Sequence, residues 1–183
     1  MLWLWIVIGL VVLIAIIFFS FYNRFQVLEN RIDNSLSQID VQLKRRADLI
    51  PNLVKTVKGY AKHEKEAIKE VTDARKEMMK SEGIGDKVKA DDKLQSALKN
   101  LFAIAEGYPD LKANQNFLQL QNELTTTEDK IAYARQHYND SVLTYNNLRE
   151  TFPGNMFAGM FGKKQKKYLE ITKSEKKKPE VNF

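Results

Sequence analysis

The chain opens with 18 consecutive residues, Leu2 to Phe19, that include no charged or strongly polar side chain. As a helix rising about 1.5 Å per residue, this stretch is roughly 27 Å long, close to the thickness of a bilayer's hydrocarbon core. Aromatic residues favour the lipid–water boundary, and they lie at both ends of the stretch. We therefore expect residues 1–22 to form a transmembrane anchor. Its key residues are Leu2, Trp3, Trp5, Phe18, Phe19, Phe21 and Tyr22.

A cleaved signal peptide is the competing interpretation of this stretch. Signal peptides have a basic start, an apolar run of about 7–15 residues and a small-residue cleavage site. Here no Lys or Arg precedes the run, the run is longer, and bulky residues follow it, which favours a retained anchor. Lys and Arg mark the cytoplasmic side, and they begin only after the anchor, at Arg24 and Arg31. We expect the N-terminus outside the cell membrane and the following domain in the cytoplasm.

The net charge of +6 is unevenly distributed. Residues 163–183 contain eight lysines against three glutamates, so the rest of the chain is close to neutral. A basic tail on a neutral body does not indicate nucleic-acid binding, and we expect no such partner. The tail is either a solvated terminus or a lysine cluster attracted to anionic lipid headgroups.

Apolar residues between Phe25 and Ile50 recur every three or four positions, which is typical of an amphipathic helix. Pro51 lacks a backbone N–H, so we expect it to kink or break this helix. A second helix is predicted from Leu53 to Met78, a loop over residues 81–86 and a third helix over roughly 91–107.

The last long helix carries a strict seven-residue repeat, which predicts packing in a coiled-coil-like seam. Large residues form one row: Phe117, Leu124, Ile131, Tyr138, Tyr145 and Phe152. A companion row consists of Leu120, Thr127, Ala134, Ser141 and Leu148. Together with the absence of strand-like alternation, these patterns predict an all-α fold, with the helical domain over residues 23–152.

Pro153 and Gly154 end that helix, and an apolar segment rich in Met, Phe and Gly follows. One interpretation is a loop folded back onto the domain. The other is a wedge in the lipid headgroup region, with aromatic side chains inserted and lysines bound to phosphates. The residues concerned are Phe157, Phe161, Lys163, Lys164, Lys166 and Lys167.

No catalytic constellation is evident in the sequence. His63-Glu64 begins a zinc-protease pattern, but Ala67 stands where the second histidine is needed. We expect no catalytic residues, no cofactor and no metal, and therefore a protein that is not an enzyme.

Three charged residues lie on or beside apolar stripes, namely Arg75, Glu106 and Arg135. A buried charge is costly without a partner, so we expect at least one of the arginines to meet a carboxylate from another helix. The candidate acids are Asp40, Asp48, Glu106 and Glu128. The alternative is a polar ligand pocket between helices, lined by Arg75, Arg135, Tyr138 or Asn139.

Taken in order, these segments resemble the LemA family over nearly the whole chain. The matching stretches are residues 38–54, 59–61, His63-Glu64, Ala105-Glu106, 108–111, Ala113-Asn114, Asn116-Phe117, Ala134-Arg135, Tyr138-Asn139, Tyr145-Asn146, Phe152-Pro153 and 181–183. The chain departs from the family at residues 163–178, where lysines are unusually dense and Lys163 replaces an expected aromatic residue.

The resemblance implies a short external N-terminus, one membrane span and a cytoplasmic antiparallel bundle of about four helices. It implies no activity. The block around Arg45, Arg46, Asp48 and Pro51 is either a docking surface or the geometry that lets the chain fold back. We expect a non-catalytic scaffold or adaptor for an unidentified envelope protein or a second copy of itself. A ligand-sensing helical domain is the alternative.

Overall fold

A computed structural model describes residues 1–169, and all of its regular structure within that range is helical. The expectations on the distal lysine tail and on Val181-Asn182-Phe183 lie outside the described residues. The all-α prediction is confirmed. The helices are α1 (Leu2–Tyr60), α2 (Lys65–Lys80), α3 (Ile84–Ala105), α4 (Pro109–Lys112), α5 (Gln115–Glu150) and α6 (Gly154–Met160).

The described residues form two compact units. The first contains residues 1–36 and 136–168, and the second contains residues 37–135 with Leu169. Helices α1 and α5 contribute to both units, whereas α2, α3 and α4 belong to the second and α6 to the first.

The first unit contains the apolar stretch of α1. Among the described residues, α1 is the one helix long and apolar enough to cross a membrane, and none of its most apolar 18-residue window is buried. Beyond this stretch α1 packs against α5, and the side chains that meet are Ser35 with His137 and Glu29 with Tyr145. Residue numbers fall along α1 as they rise along α5, so the two helices are antiparallel.

The second unit is an antiparallel bundle of four helical segments, as the family resemblance implies. Helix α1 runs parallel to α3, because Asp40 contacts Lys87 and Arg46 contacts Asp91. Helix α2 returns antiparallel to both, and α5 runs antiparallel to α3. The fully buried core residues include Ile39, Leu43, Leu53, Val71, Leu94 and Leu101.

The seven-residue repeat of α5 is buried as predicted along most of its length. The first five large residues, from Phe117 to Tyr145, are at most 8% exposed. Thr127, Ala134 and Ser141 of the companion row are buried as well. Phe152 departs from the pattern, since it lies beyond the end of α5 and is 80% exposed.

The expectation that Pro51 breaks the first helix is wrong, because α1 continues through it to Tyr60. Proline lacks the N–H that would bond the carbonyl oxygen of Ala47, four residues earlier. The Nε of Arg75 in α2 donates to that oxygen at 2.7 Å. A side-chain donor thus replaces the missing backbone donor, and α2 begins at Lys65 rather than near Leu53.

Replacing Arg75 by Met should lower the free energy of unfolding by about 1–3 kcal/mol, because a buried carbonyl loses its partner. In a Pro51→Ala background the loss should shrink, since the N–H of the new alanine can bond Ala47. Denaturant unfolding of the four full-length proteins in detergent, followed by circular dichroism, measures this coupling. An equal loss in both backgrounds would contradict the assigned role of Arg75.

Candidate functional site

A buried arginine links three helices of the second unit. Arg46 of α1 is 2% exposed and donates from Nη1 to both carboxylate oxygens of Asp91 in α3, each at 2.8 Å. Its Nη2 lies 3.8 Å from Oε2 of Glu128 in α5. We call Arg46, Asp91, Glu128 and the neighbouring Asp92 and Arg135 the polar cluster.

The second arginine of the polar cluster bears out the expected ion pair between helices. Nη1 of Arg135 in α5 lies 3.6 Å from Oδ1 of Asp92 in α3. The acid differs from the four candidates, of which only Glu128 belongs to the cluster. Sequence analysis did not identify Asp91. It lies on the same apolar stripe of α3 as Leu94 and Leu98, and a charged residue on such a stripe could have indicated a buried ion pair.

The carboxyl group of Asp91 is buried, which makes its charged form unfavourable. Burial raises the pKa of its carboxyl above the ordinary value, while the charge and hydrogen bonds of Arg46 and the charge of Arg135 act in the opposite direction. A carboxylate there depends on its arginine partner. The pair therefore selects one arrangement of α1 and α3, because other registers would leave a buried charge unpaired.

The other charged candidates lie elsewhere. Arg75 bonds the Ala47 carbonyl, Asp40 pairs with Lys87 at 2.5 Å, and exposed Glu106 pairs with Lys112. In the block around Pro51, Arg46 is buried while Arg45, Asp48 and Pro51 are exposed. One part of that block is therefore structural, and the other part is available at the surface.

A cavity of about 260 Å³ adjoins the polar cluster. Its lining includes Arg46, Asp92, Lys99 and Arg135, and the Nε of Arg46 makes no hydrogen bond with any described residue. Of the residues predicted for a ligand pocket, Arg135 lines this cavity and Arg75 does not. Tyr138 and Asn139 belong to the first unit.

A larger groove of about 630 Å³ lies in the second unit between the end of α1 and the beginning of α5. Nδ2 of Asn114 donates to the hydroxyl of Tyr60 at 2.9 Å on its wall. Four of the eight polar residues in its lining carry carboxamides. A carboxamide offers both donors and an acceptor. The lining includes Asn52, Lys55, Tyr60, Asn114, Asn116 and Gln119.

In the first unit, the apolar segment after Pro153 forms helix α6, and it packs against α1. The loop interpretation of this segment is therefore replaced by a short helix. The ring of Phe157 stacks on Phe21 at 4.6 Å between centroids. The ring of Phe161 lies edge-on to Phe18 at 5.1 Å and to Tyr22 at 5.4 Å. We call these five rings the aromatic cluster.

The segment that follows α6 is held along α5 by side chains. Asn146 donates to the carbonyl of Lys166 at 2.9 Å and accepts from its N–H at 3.0 Å. The hydroxyl of Tyr138 donates to the carbonyl of Lys167 at 2.9 Å, and Nε of Arg149 donates to that of Lys163 at 3.1 Å. Tyr138 therefore positions this segment in the structure.

Two of the four lysines predicted to contact lipid already have partners in the first unit. The ammonium of Lys163 lies 2.7 Å from Oε2 of Glu29, and that of Lys166 lies 5.8 Å from the ring centre of Tyr145. Lys164 and Lys167 are exposed. Burial, with the charge and hydrogen bond of Glu29, raises the pKa of Tyr145 to about 12 and keeps its phenol protonated.

His137 and the Glu64 of the His63-Glu64 pair each have a side-chain partner. Nδ1 of His137 lies 2.9 Å from the hydroxyl of Ser35, and the hydroxyl of Tyr108 donates to Glu64 at 2.6 Å. Within residues 1–169, no group of three or more His, Asp or Glu side chains is arranged to hold a metal ion.

Fold and site together define a helical-bundle protein with one apolar helix long enough to cross a membrane. The LemA family model matches residues 35–183, and the chain belongs to the LemA family. Two of its relatives are magnetosome protein MamQ and protein LemA, and neither name is that of an enzyme.

Three relatives illustrate the range of similarity. Magnetosome protein MamQ of Magnetospirillum gryphiswaldense is 28% identical over 174 residues, covering 81% of this chain and 64% of that protein. MamQ 2 of Paramagnetospirillum magneticum is 27% identical over 175 residues, with the same coverage. Protein LemA of Metamycoplasma hominis is 29% identical over 153 residues, covering 79% of this chain and 68% of that protein. The chain thus spans slightly less than two thirds of the magnetosome relatives.

Removing one member of the buried pair should be far more damaging than removing both. Arg46→Met alone should cost about 3–5 kcal/mol of unfolding free energy, because Asp91 stays buried without its partner. Adding Asp91→Leu should recover most of that loss. Urea unfolding of the full-length variants in detergent tests this. A double variant at least as unstable as Arg46→Met would contradict the assignment.

Proposed function

We propose that this protein is a non-catalytic, single-pass membrane scaffold that presents a helical-bundle surface to an envelope protein. The observation that carries the proposal is the exposed apolar stretch of α1, which continues without interruption into a helix whose later residues form the bundle core. A core helix would be buried, whereas this stretch is not. Burying its side chains in lipid removes a large apolar area from water.

The aromatic cluster supports a retained anchor over a cleaved signal peptide. Phe18, Phe21 and Tyr22 supply three of the five rings, and Phe157 of α6 and the next-following aromatic, Phe161, supply the other two. Loss of the whole anchor, residues 1–22, would remove all three of these partners from Phe157 and Phe161. The end of the anchor is thus also a packing element of the first unit.

The proposed orientation places the N-terminus outside and the bundle in the cytoplasm. The supporting feature is the distribution of charge, with arginines only on the far side of the stretch, beginning at Arg24. Arg24 and Arg31 are exposed at the start of the helical domain.

The natural chain contains no cysteine, so single-cysteine variants report topology directly. With Lys89→Cys, a membrane-impermeant maleimide should label the protein only after the cells are lysed. With Leu2→Cys, it should label the protein in intact cells. The reverse pattern would show that the proposed orientation is wrong, with an impermeable cytoplasmic marker protein as the control.

The surface proposed for docking is the carboxamide-lined groove of the second unit. Its exposed polar groups can pair with the backbone amides of an extended peptide segment, because carboxamides both donate and accept. Leu49 and Leu120 add apolar area to the same groove. The proposed partner is therefore an extended segment of another envelope protein, and a second copy of this chain is the alternative partner.

A photo-crosslinking amino acid at Lys55 or Asn116 in the groove should yield one adduct of defined mass in membranes. The same amino acid at Lys89, an exposed position outside the groove, is the matched control. An adduct of twice the chain mass would identify self-association. Uncrosslinked protein at all three positions would contradict the scaffold proposal.

The alternative function is a ligand-sensing domain. The cavity beside Arg46 and Arg135 supports it, since both guanidinium groups border a volume that suits a small polar molecule. This alternative predicts no groove-specific protein adduct in the crosslinking experiment. It also predicts a higher unfolding temperature when the cognate molecule is added.

A further inference from the structure

Helix α6 leaves two large apolar side chains uncovered on one face. Met156 is 61% exposed and Met160 is 68% exposed, and they are four residues apart and so lie on the same side of the helix. The side chains of Phe157 and Phe161 occupy another side and pack against α1. Both sides of α6 are thus apolar, and residues 1–169 cover only one of them.

The contacts of α6 fix its level along α1. Phe157 of α6 and Phe161, which directly follows the helix, contact residues 18–25, and the continuous apolar stretch ends at Phe19. Helix α6 therefore crosses α1 at the place where apolar residues give way to charged ones. In a membrane-anchored protein, this is the level of the lipid–water interface.

Contacts at both ends of α6 also fix the position of the helix. A Cβ atom on Gly154 would lie 2.0 Å from the carbonyl oxygen of Leu148, so α6 begins in close contact with α5. After its other end, the ammonium of Lys163 bonds Glu29 and Gln26 of α1. The face with the two methionines is consequently directed away from the protein.

We infer that α6 is a second membrane contact, in which Met156 and Met160 enter the lipid–water interface of the bilayer that holds the anchor. The exposed lysines that follow, Lys164 and Lys167, lie beside anionic headgroups. The inference rests on the anchor proposed above. We assign lipid as the partner of the methionine face because α6 contacts α1 where the apolar stretch ends, at the membrane surface. An apolar face followed by lysines suits the lipid–water boundary.

The chain's lack of cysteine permits a depth measurement. Single-cysteine variants at positions 156, 160, 12 and 27 carry an environment-sensitive fluorophore, and each full-length protein is reconstituted in vesicles. The lipids bear a spin-label quencher either at the headgroup or deep in the acyl chain. Val12 lies within the anchor, whereas Val27 lies about 12 Å beyond Phe19 along the same helix.

Position 12 should be quenched mainly by the deep label, and positions 156 and 160 mainly by the headgroup label. Position 27 should be quenched by neither. If positions 156 and 160 match position 27 while position 12 is quenched, the inference about α6 is overturned and the anchor stands. If position 12 is not quenched either, the anchor itself fails.

The lysines are tested in the labelled Met160→Cys background with Lys164→Gln and Lys167→Gln added. Phosphatidylglycerol in the vesicles should increase headgroup quenching of the parent compared with pure phosphatidylcholine. The lysine variant should lose that increase. An equal response of both proteins would overturn the assigned role of the two lysines.

Discussion

The apolar surface of α1 between Leu2 and Phe19 is the constraint on which the rest of this structure depends. Water is a poor environment for such a surface, because the free energy of exposing it grows with apolar area. The described residues provide no protein surface that buries it. A bilayer does, and the proposed membrane location and the interfacial role of α6 both follow from that need.

Polar groups inside the bundle act mainly to fix how the helices align. The Arg46–Asp91 pair is buried and bidentate, so a shift of α1 against α3 would leave a charge without its partner. Arg75 supports a different feature, the passage of α1 through Pro51. Both arginines act on helix geometry, which suits a scaffold that must hold one shape.

The surface features fit the same account. Among the described residues, the carboxamide groove is open and several residues near Pro51 are exposed, whereas Arg46 from the same sequence block is buried. A dense block of family-like residues thus combines a structural role with a proposed docking role. The two roles occupy different faces of one helix.

Local patterns in the sequence predicted the long helices and much of the core, but not where α1 ends and α2 begins, and not the short helices α4 and α6. The seven-residue repeat of α5 is a property of neighbouring residues, so its burial from Phe117 to Tyr145 could be inferred directly. The continuation of α1 past Pro51 could not, because the compensating donor, Arg75, lies 24 residues further along the chain.

Sites formed by distant residues were the least predictable. Asp91 and Arg46 are 45 positions apart in the sequence. The position of Asp91 on an apolar stripe was the one local sign that its charge would be buried. The packing of Phe157 on Phe21 likewise depends on how α6 returns to α1. Sequence patterns located the apolar segment after Pro153 but did not predict which of its side chains would remain exposed.

The most direct test of the central claim is alkaline carbonate extraction of cell membranes, followed by intact-mass measurement of the protein. The account predicts that the chain remains in the membrane pellet and retains the mass of residues 1–22. Recovery in the soluble fraction, or a mature protein that lacks those residues, would contradict it.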